Sequence, residues 1–528
     1  MVDYLIVGAG SAGCVLAARL SEDPDIRVTL LEAGPPDSSA LIHCPGGLAA
    51  MARGTPLVWN LESVPQAGLN GRRNYQPRGK VLGGSSSINA MIYMRGRPSD
   101  YNHWASLGNP GWSFDEVLPF FKKAEDNARG ADAWHGTDGP LHVMDLCDPN
   151  PYAQAFVDAG VQAGYVHNHD FNGESQAGVG LYQVTQRGGE RLSAAKAYLA
   201  PALSRPNLRV ITGAHVTRIL LENRRAVGVE FLQGGHLQQL RCTGEVLLCA
   251  GSLMSPPILM RSGIGAGALL QSLGIDVVHH LPGVGRNLHD HPDVVLLAHA
   301  PKATELIGLS AIGALSLVKG IWQWRRHRRG LLTTNFAEAG GFIKSQASEA
   351  LEDLQLHFVV AKLVDHGRKT VWGHGYSCHV CVLQPESRGT VTLASADPMA
   401  APHIDPALLN HPNDLAKLVH GVRRTREILG QPALAQSGAL EDVASAHSTS
   451  DSDIEAFVRT HADTVYHPVG SCRMGTDALT VVDAQLRVHG VQALRVVDAS
   501  VMPRITSGNT NAPVIMIAEK AASLVEKR

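Results

Sequence analysis

Short apolar runs separated by glycine turns set the pattern of this chain. Tyr4-Leu5-Ile6-Val7 is apolar at four successive positions and predicts a buried strand. Cys14-Val15-Leu16-Ala17-Ala18-Arg19-Leu20 then places apolar residues at helical spacing, and Arg27-Val28-Thr29-Leu30-Leu31 is a second strand-like run that ends on Glu32. Further on, residues 208–212, 216–220 and 226–231 predict strands. Residues 245–251 read as a buried strand that rejoins the first sheet. Ser255-Pro256-Pro257 opens a helix with proline in its first turn, closed by Gly263-Ile264-Gly265. Residues 353–360 and 376–394 read as strands, 413–460 mainly as helix, 151–200 as helix and loop, and 514–524 as a last helix.

The turn between the first strand and helix is Gly8-Ala9-Gly10-Ser11-Ala12-Gly13. Strand, glycine turn, helix, strand and terminal acid together form a dinucleotide-binding βαβ unit. Gly8 permits the tight turn, Gly10 lets a pyrophosphate approach the backbone, and Gly13 lets helix and strand pack closely. The helix N-terminus offers unpaired N–H groups to the phosphates, and Glu32 can accept from both hydroxyls of an adenosine ribose. This unit alone does not separate FAD from NAD. A second glycine turn, Gly83-Gly84-Ser85-Ser86-Ser87, is expected to open an apolar helix and to bring backbone to a ligand again; a serine-capped turn is the plainer reading.

Composition narrows the picture. With 528 residues, 44% hydrophobic and 18% charged, the chain reads as a folded protein of two domains. A net charge of −2 gives no electrostatic case for nucleic acid. Eight scattered cysteines read as reduced core thiols of a cytoplasmic protein, and the start shows no signal peptide. Cys378-His379-Val380-Cys381 alternates within a strand and reads as core. Residues 305–324 are apolar but broken by Lys319 and polar positions, too poor for a membrane span. Arg325-Arg326-His327-Arg328-Arg329 follows directly. It is either a solvated basic turn or a peripheral contact with the inner face of the cytoplasmic membrane. No GxSxG, HExxH or zinc-type cysteine pair is present, so no metal is expected. Asn287-Leu288-His289-Asp290-His291-Pro292 reads as a hydrogen-bonded turn against the cofactor domain.

Near the C-terminus, His467 in Val465-Tyr466-His467-Pro468 is followed about forty residues on by Ser507-Gly508-Asn509-Thr510-Asn511-Ala512-Pro513. Histidine and asparagine on loops near helix starts suit a site for a polar group. Taken with Gly79 through Gly83-Gly84-Ser85-Ser86, Asn89, Tyr93, Gly96 and Asn102, and with Gly251-Ser252, Ser255-Pro256 and Ser262 to Gly265, these motifs resemble the glucose–methanol–choline (GMC) oxidoreductase family along nearly the whole chain. Within it, the chain is similar to bacterial FAD-dependent alcohol and choline dehydrogenases.

The resemblance implies an α/β fold: an FAD-binding Rossmann-like domain (1–158, 206–300 and 462–528) and an interleaved α+β substrate-binding domain built on an antiparallel sheet (159–205 and 301–461). It implies FAD, with Gly8, Gly10, Ser11, Ala12, Gly13, Glu32 and Ala33 on the ADP half and Val81, Gly84, Ser85, Asn89, Ala90 and Met91 along the flavin. Val216 would lie by the adenine and Asp498-Ala499 by the ribityl chain, with Ala250, Gly251, Tyr466, Asn509 and Pro513 completing the set. Some relatives attach FAD through a histidine where this chain has Ile88, so non-covalent FAD is expected. The implied reaction oxidises a primary alcohol to an aldehyde. His467 acts as base, Asn511 hydrogen-bonds the alkoxide, hydride goes to flavin N5, and electrons pass to a quinone or to O₂. Tyr466 and Glu338 are expected on the substrate side, Glu338 being a carboxylate that could face the quaternary ammonium of choline; a pocket-wall or salt-bridged Glu is its plainer reading. An O₂-using alcohol oxidase, a choline dehydrogenase and a hydroxynitrile-type lyase that keeps FAD structurally remain alternatives.

Overall fold

The computed structural model describes residues 2–52 and 54–525. Strand β1 (Val2–Val7), helix α1 (Ser11–Leu20) and strand β2 (Val28–Leu31) form the expected βαβ unit. β1 lies between β2 and the far end of the long strand His236–Leu248, parallel to both. Leu208–Ile211 adds beyond β2, and Leu494–Val496 beyond the long strand, again in parallel. Helices cover such a sheet on both faces, which is why these strands are apolar runs rather than alternating ones. Every residue of β2 is buried. The near half of the long strand leaves this sheet and pairs in an antiparallel meander with Arg225–Gln233, which in turn pairs with His215–Glu222.

The second sheet is antiparallel throughout, in the order Leu440–Glu441, Pro292–His299, Gly375–Val382, Leu354–Val359, Ala337–Ile343 and Gly178–Leu181. Period-two alternation divides its residues between two faces. Leu354, Leu356, Phe358, Cys378 and Val380 pack in one core with Phe156 and Val157 of the helix Pro151–Gln162 and Leu418 and Val422 of the helix Pro412–Leu429. His357, Val359 and His379 face the other way, into a cavity between the sheets. Pro292–His299 and the helix Pro151–Gln162 belong to this layer, although the sequence reading leaves residues 292–300 and 151–158 with the cofactor segments. The same alternation puts Cys378 and Cys381, three apart in one strand, on opposite faces, and all eight cysteines are free thiols.

Two local expectations change. The Gly83-Gly84 turn opens only a single 3₁₀ turn, Gly84–Ser87, and the chain then takes φ +59° at Met91. The 413–460 region is not one helix but Pro412–Leu429, two short turns and Asp451–His461. Among the described residues no helix is long and apolar enough to cross a membrane, and no group of His, Cys, Asp and Glu is placed to hold a metal.

Candidate active site

A cavity of about 1060 Å³ runs from the β1–α1 turn to the space between the sheets. Its inner end is built by backbone. Gly8 has φ +97°, and a Cβ there would lie 2.6 Å from the Cys249 carbonyl oxygen. A Cβ on Gly13 would lie 1.9 Å from the Gly8 carbonyl oxygen, so only glycine lets α1 start this close to β1. A Cβ on Gly10 would meet nothing within 4 Å. The turn is therefore open on the side from which a pyrophosphate would come, and α1 begins there with no side-chain cap on its N–H groups. The second glycine turn packs onto the first: the Gly83 N–H donates to the Ala9 carbonyl at 2.7 Å.

Glu32 closes β2 as a buried carboxylate, accepting from the Ala9 N–H at 2.9 Å and the Gly34 N–H at 2.8 Å. Burial pushes it up to about 7. Asp498 accepts from the Gly251 N–H at 2.8 Å and the Ser255 hydroxyl at 2.6 Å, joining the end of the long strand and the helix Ser255–Arg261 to the C-terminal segment. Buried Arg191 holds the loop beside the second turn, donating to the Asn89 carbonyl at 2.6 Å and to Asn89 Oδ1 at 2.8 Å. Open glycine cradle, uncapped helix start and carboxylate at the end of β2 together fit the ADP half of a dinucleotide. Of the expected cofactor residues, Ser11, Ala12, Ala33, Ser85, Ala90, Met91, Val216, Ala250, Ala499 and Tyr466 line the cavity. Val81 instead packs with Ile42 and Met51, while Gly13 and Pro513 lie behind the wall.

His467 stands between the sheets. Its backbone N–H donates to Asp290 Oδ1 at 2.8 Å, and the same oxygen accepts from the His291 N–H at 2.8 Å. On the ring, Nδ1 lies 3.1 Å from His291 Nδ1, and Nε2 lies 3.3 Å from Asn509 Nδ2. Desolvation, with His291, His357 and Arg78 nearby, holds His467 well below the usual imidazole value of 6.5, which favours the neutral ring. Tyr466, immediately before it, has φ +66°. Met91 and Phe336, at +59° and +67°, line the same cavity. Strained backbone at three large residues marks a site whose side-chain directions matter.

One expectation, that for Glu338, is corrected here. Asn511 lines the cavity with His467, its Oδ1 accepting from the Ser11 hydroxyl at 2.7 Å at the start of α1, while the asparagine 3.3 Å from His467 Nε2 is Asn509. Asn511 is the first residue of the helix Asn511–Leu524, so its direction follows that helix toward α1, whereas Asn509 is still in the loop. Glu338 does not face the cavity; its carboxylate accepts from the Thr334 hydroxyl at 2.5 Å and the Asn150 N–H at 2.6 Å. Conversely, Asp290, His291 and Gln355 form the support of His467 and Asn509, Gln355 Nε2 donating to Asn509 Oδ1 at 3.2 Å. The paired histidines of the 287–292 segment were the available signal, but their partner lies 176 residues away in the chain.

A dinucleotide-binding sheet joined to an antiparallel sheet, with a half-buried histidine between them, is the arrangement of a dinucleotide-dependent oxidoreductase. Residues 2–293 and 385–518 match family models described as GMC oxidoreductase, and the chain belongs to that family. Its cofactor is FAD. It is 48% identical to an alcohol dehydrogenase [acceptor] of Pseudomonas putida, covering 100% of this chain and 96% of that one. It is 45% identical to the mitochondrial choline dehydrogenase of Mus musculus, covering 99% and 89%. The solved structure of pyridoxine 4-oxidase from Mesorbium loti superposes with a TM-score of 0.89 at 33% identity, covering 99% of each chain.

Proposed function

We propose that this protein oxidises apolar primary alcohols to aldehydes with non-covalent FAD and passes the electrons to an acceptor such as a quinone. The observation that supports this most directly is His467, half-buried at the cavity with a proton affinity lowered by desolvation, its Nε2 beside Asn509 Nδ2. FAD, when bound, supplies the two-electron acceptor. The chain's own residues do the rest. His467 Nε2 takes the hydroxyl proton as the C–H bond breaks. Asn509 Nδ2 donates to the alcohol oxygen as its charge grows. Leu306, Phe336 and Val359 form an apolar wall inside the cavity, and Leu309, Leu317 and Trp372 an apolar rim at its mouth, which suit an alkyl or aryl chain.

The wall favours an apolar alcohol over choline. Glu338 is occupied elsewhere, and of the carboxylates that do line the cavity, Glu32 and Asp498 are committed at the dinucleotide end while Glu305 is exposed. The relative with 48% identity is likewise an alcohol dehydrogenase by name. Anaerobic mixing of the FAD-loaded protein with a panel of alkanols, benzyl alcohol and choline tests this. Alkanols should bleach the flavin and choline should not; His467→Ala should stay yellow with every alcohol. Full reduction of that variant would refute His467 as base, and a wild-type protein that no alcohol bleaches would point to a lyase.

We also propose a peripheral membrane contact, which the surface supports. The helix Ala311–His327 turns Ile312, Leu315, Val318 and Trp322 outward, with Leu315 72% and Val318 67% exposed. Trp372, 76% exposed, stands beside this helix at the cavity, and Arg325, Arg326 and Arg329 are exposed at the helix end. An apolar stripe bordered by arginines complements an anionic bilayer. Gly313, Ala314 and Leu317 of the same helix line the cavity, so the docked face would open toward the phase in which quinones and apolar alcohols dissolve.

A further inference from the structure

His291 has no role in the reaction as described so far, yet its ring is fully buried against His467. Its Nε2 lies 3.1 Å from the Thr506 carbonyl oxygen. A carbonyl only accepts, so Nε2 of His291 carries a hydrogen. Burial pushes this imidazole down to about 4, leaving a single ring hydrogen at neutral pH, and that hydrogen is the one on Nε2. His291 Nδ1 is therefore a bare lone pair. The group facing it at 3.1 Å is His467 Nδ1, which makes a hydrogen bond only as N–H. His467, neutral too, then has no hydrogen on Nε2.

The other side of the ring agrees independently. Asn509 Oδ1 is the end that accepts from Gln355 Nε2 at 3.2 Å, so the Asn509 amide turns its NH₂ toward His467 Nε2 at 3.3 Å. An NH₂ group donates, and it requires a lone pair on that nitrogen.

From this geometry we infer that His291 is a positioning residue: anchored by Thr506, it fixes the tautomer of His467 so that the lone pair of Nε2 faces the alcohol. It rests on the reading of His467 as base. The proton taken from the alcohol forms an N–H bond at His467 Nε2 as the O–H bond breaks. The resulting imidazolium is stabilised by its Nδ1–H donating to His291. A neutral acceptor orients the ring as a carboxylate would, without the added charge that would raise the proton affinity of His467 and leave it protonated at neutral pH. Asp290 supplies the matching backbone restraint, since one carboxylate oxygen holds the N–H groups of both histidines.

The test compares two replacements. In His291→Asn the side-chain oxygen stands where Nδ1 stood and keeps the acceptor. In His291→Gln the amide reaches the Nε2 position and leaves no acceptor for His467. Holoenzyme labelled with ¹⁵N-histidine, with the His467 signals assigned by their loss in His467→Asn, should show a protonated Nδ1 and a bare Nε2. His291→Gln should mix the two tautomers and slow flavin reduction about tenfold or more with little change in alcohol affinity, while His291→Asn stays within a few-fold of wild type. A wild-type His467 protonated on Nε2 overturns the inference even if neither variant folds. Equal losses in the two variants, at unchanged FAD content, overturn it as well, because they mark a packing role only. If the nitrogen spectrum shows the fixed tautomer but His467→Ala is still fully reduced by alcohol, the base assignment fails and the tautomer control stands.

Discussion

His467 is held at its backbone by Asp290, at Nδ1 by His291 and at Nε2 by Asn509. The two asparagines two residues apart should therefore behave differently. Asn509→Ala removes a donor aimed at the developing charge, and we expect flavin reduction by alcohol to slow about 100-fold with FAD retained. Asn511→Ala removes the partner of the Ser11 hydroxyl at the start of α1, and we expect weaker FAD retention instead, read from the flavin released on dilution. Stopped-flow reduction and flavin content measured on both variants decide between the assignments. The same environment sets the pH dependence. Because His467 is held well below 6.5 by burial and by His291, His357 and Arg78, its lone pair is free throughout neutral pH. The rate of flavin reduction should be flat from pH 8 to about 6.5 and fall only in acid, as the base becomes protonated.

At the scale of elements, the glycine turns and one helix carry most of the meaning. The first two turns are a single construction: a Cβ on Gly84 would lie 2.7 Å from the Gly10 Cα, so neither could exist in this form without the other. The helix Ala311–His327 has the opposite logic. Gly320 and Trp324 bury its inner face, the Trp324 indole donating to the Gly189 carbonyl at 2.8 Å, while its outer face leaves large apolar side chains in water. Nothing in the fold needs Leu315, Val318 and Trp322 to be apolar. Leu315→Ser/Val318→Ser/Trp322→Ser should thus keep its melting temperature and lose co-sedimentation with phosphatidylglycerol vesicles. Equal binding by wild type and this variant, or no binding by either, would remove the membrane assignment.

At the scale of the whole molecule, the two ends of the chain are clasped together. The helix Asn511–Leu524 packs on α1, and the buried Glu519 carboxylate accepts from Arg19 Nε and from the Tyr198 hydroxyl at 2.9 Å, with Lys123 3.1 Å away. Glu519→Ala would take away the buried carboxylate shared by Arg19, Tyr198 and Lys123, leaving Arg19 only Glu22 at the surface, and we expect a loss of about 3 kcal/mol. Thermal melting should show it as a lower midpoint with FAD loss in the same transition, since α1 carries the cofactor cradle. The clasp serves the site directly, because it holds the start of the last helix, and with it Asn509 and Asn511, against the first turn.

Much of this was legible in the chain. Local patterns determine local structure: the run 4–7, the turn 8–13 and Glu32 predict the βαβ unit because each glycine answers to contacts within a few residues or one neighbouring strand. The antiparallel second layer and FAD came from ordered motifs read together. What the tertiary structure decided is which side chains meet. Asn509 and Asn511 lie two residues apart in one segment, and the helix that starts at Asn511 separates their directions. Glu338 alternates out of the cavity by strand period and is satisfied by Asn150, 188 residues away. His291 reaches His467 across 176 residues because two sheets fold over one cavity. A hydrogen bond depends on distances of a few tenths of an ångström, and only the folded chain sets those.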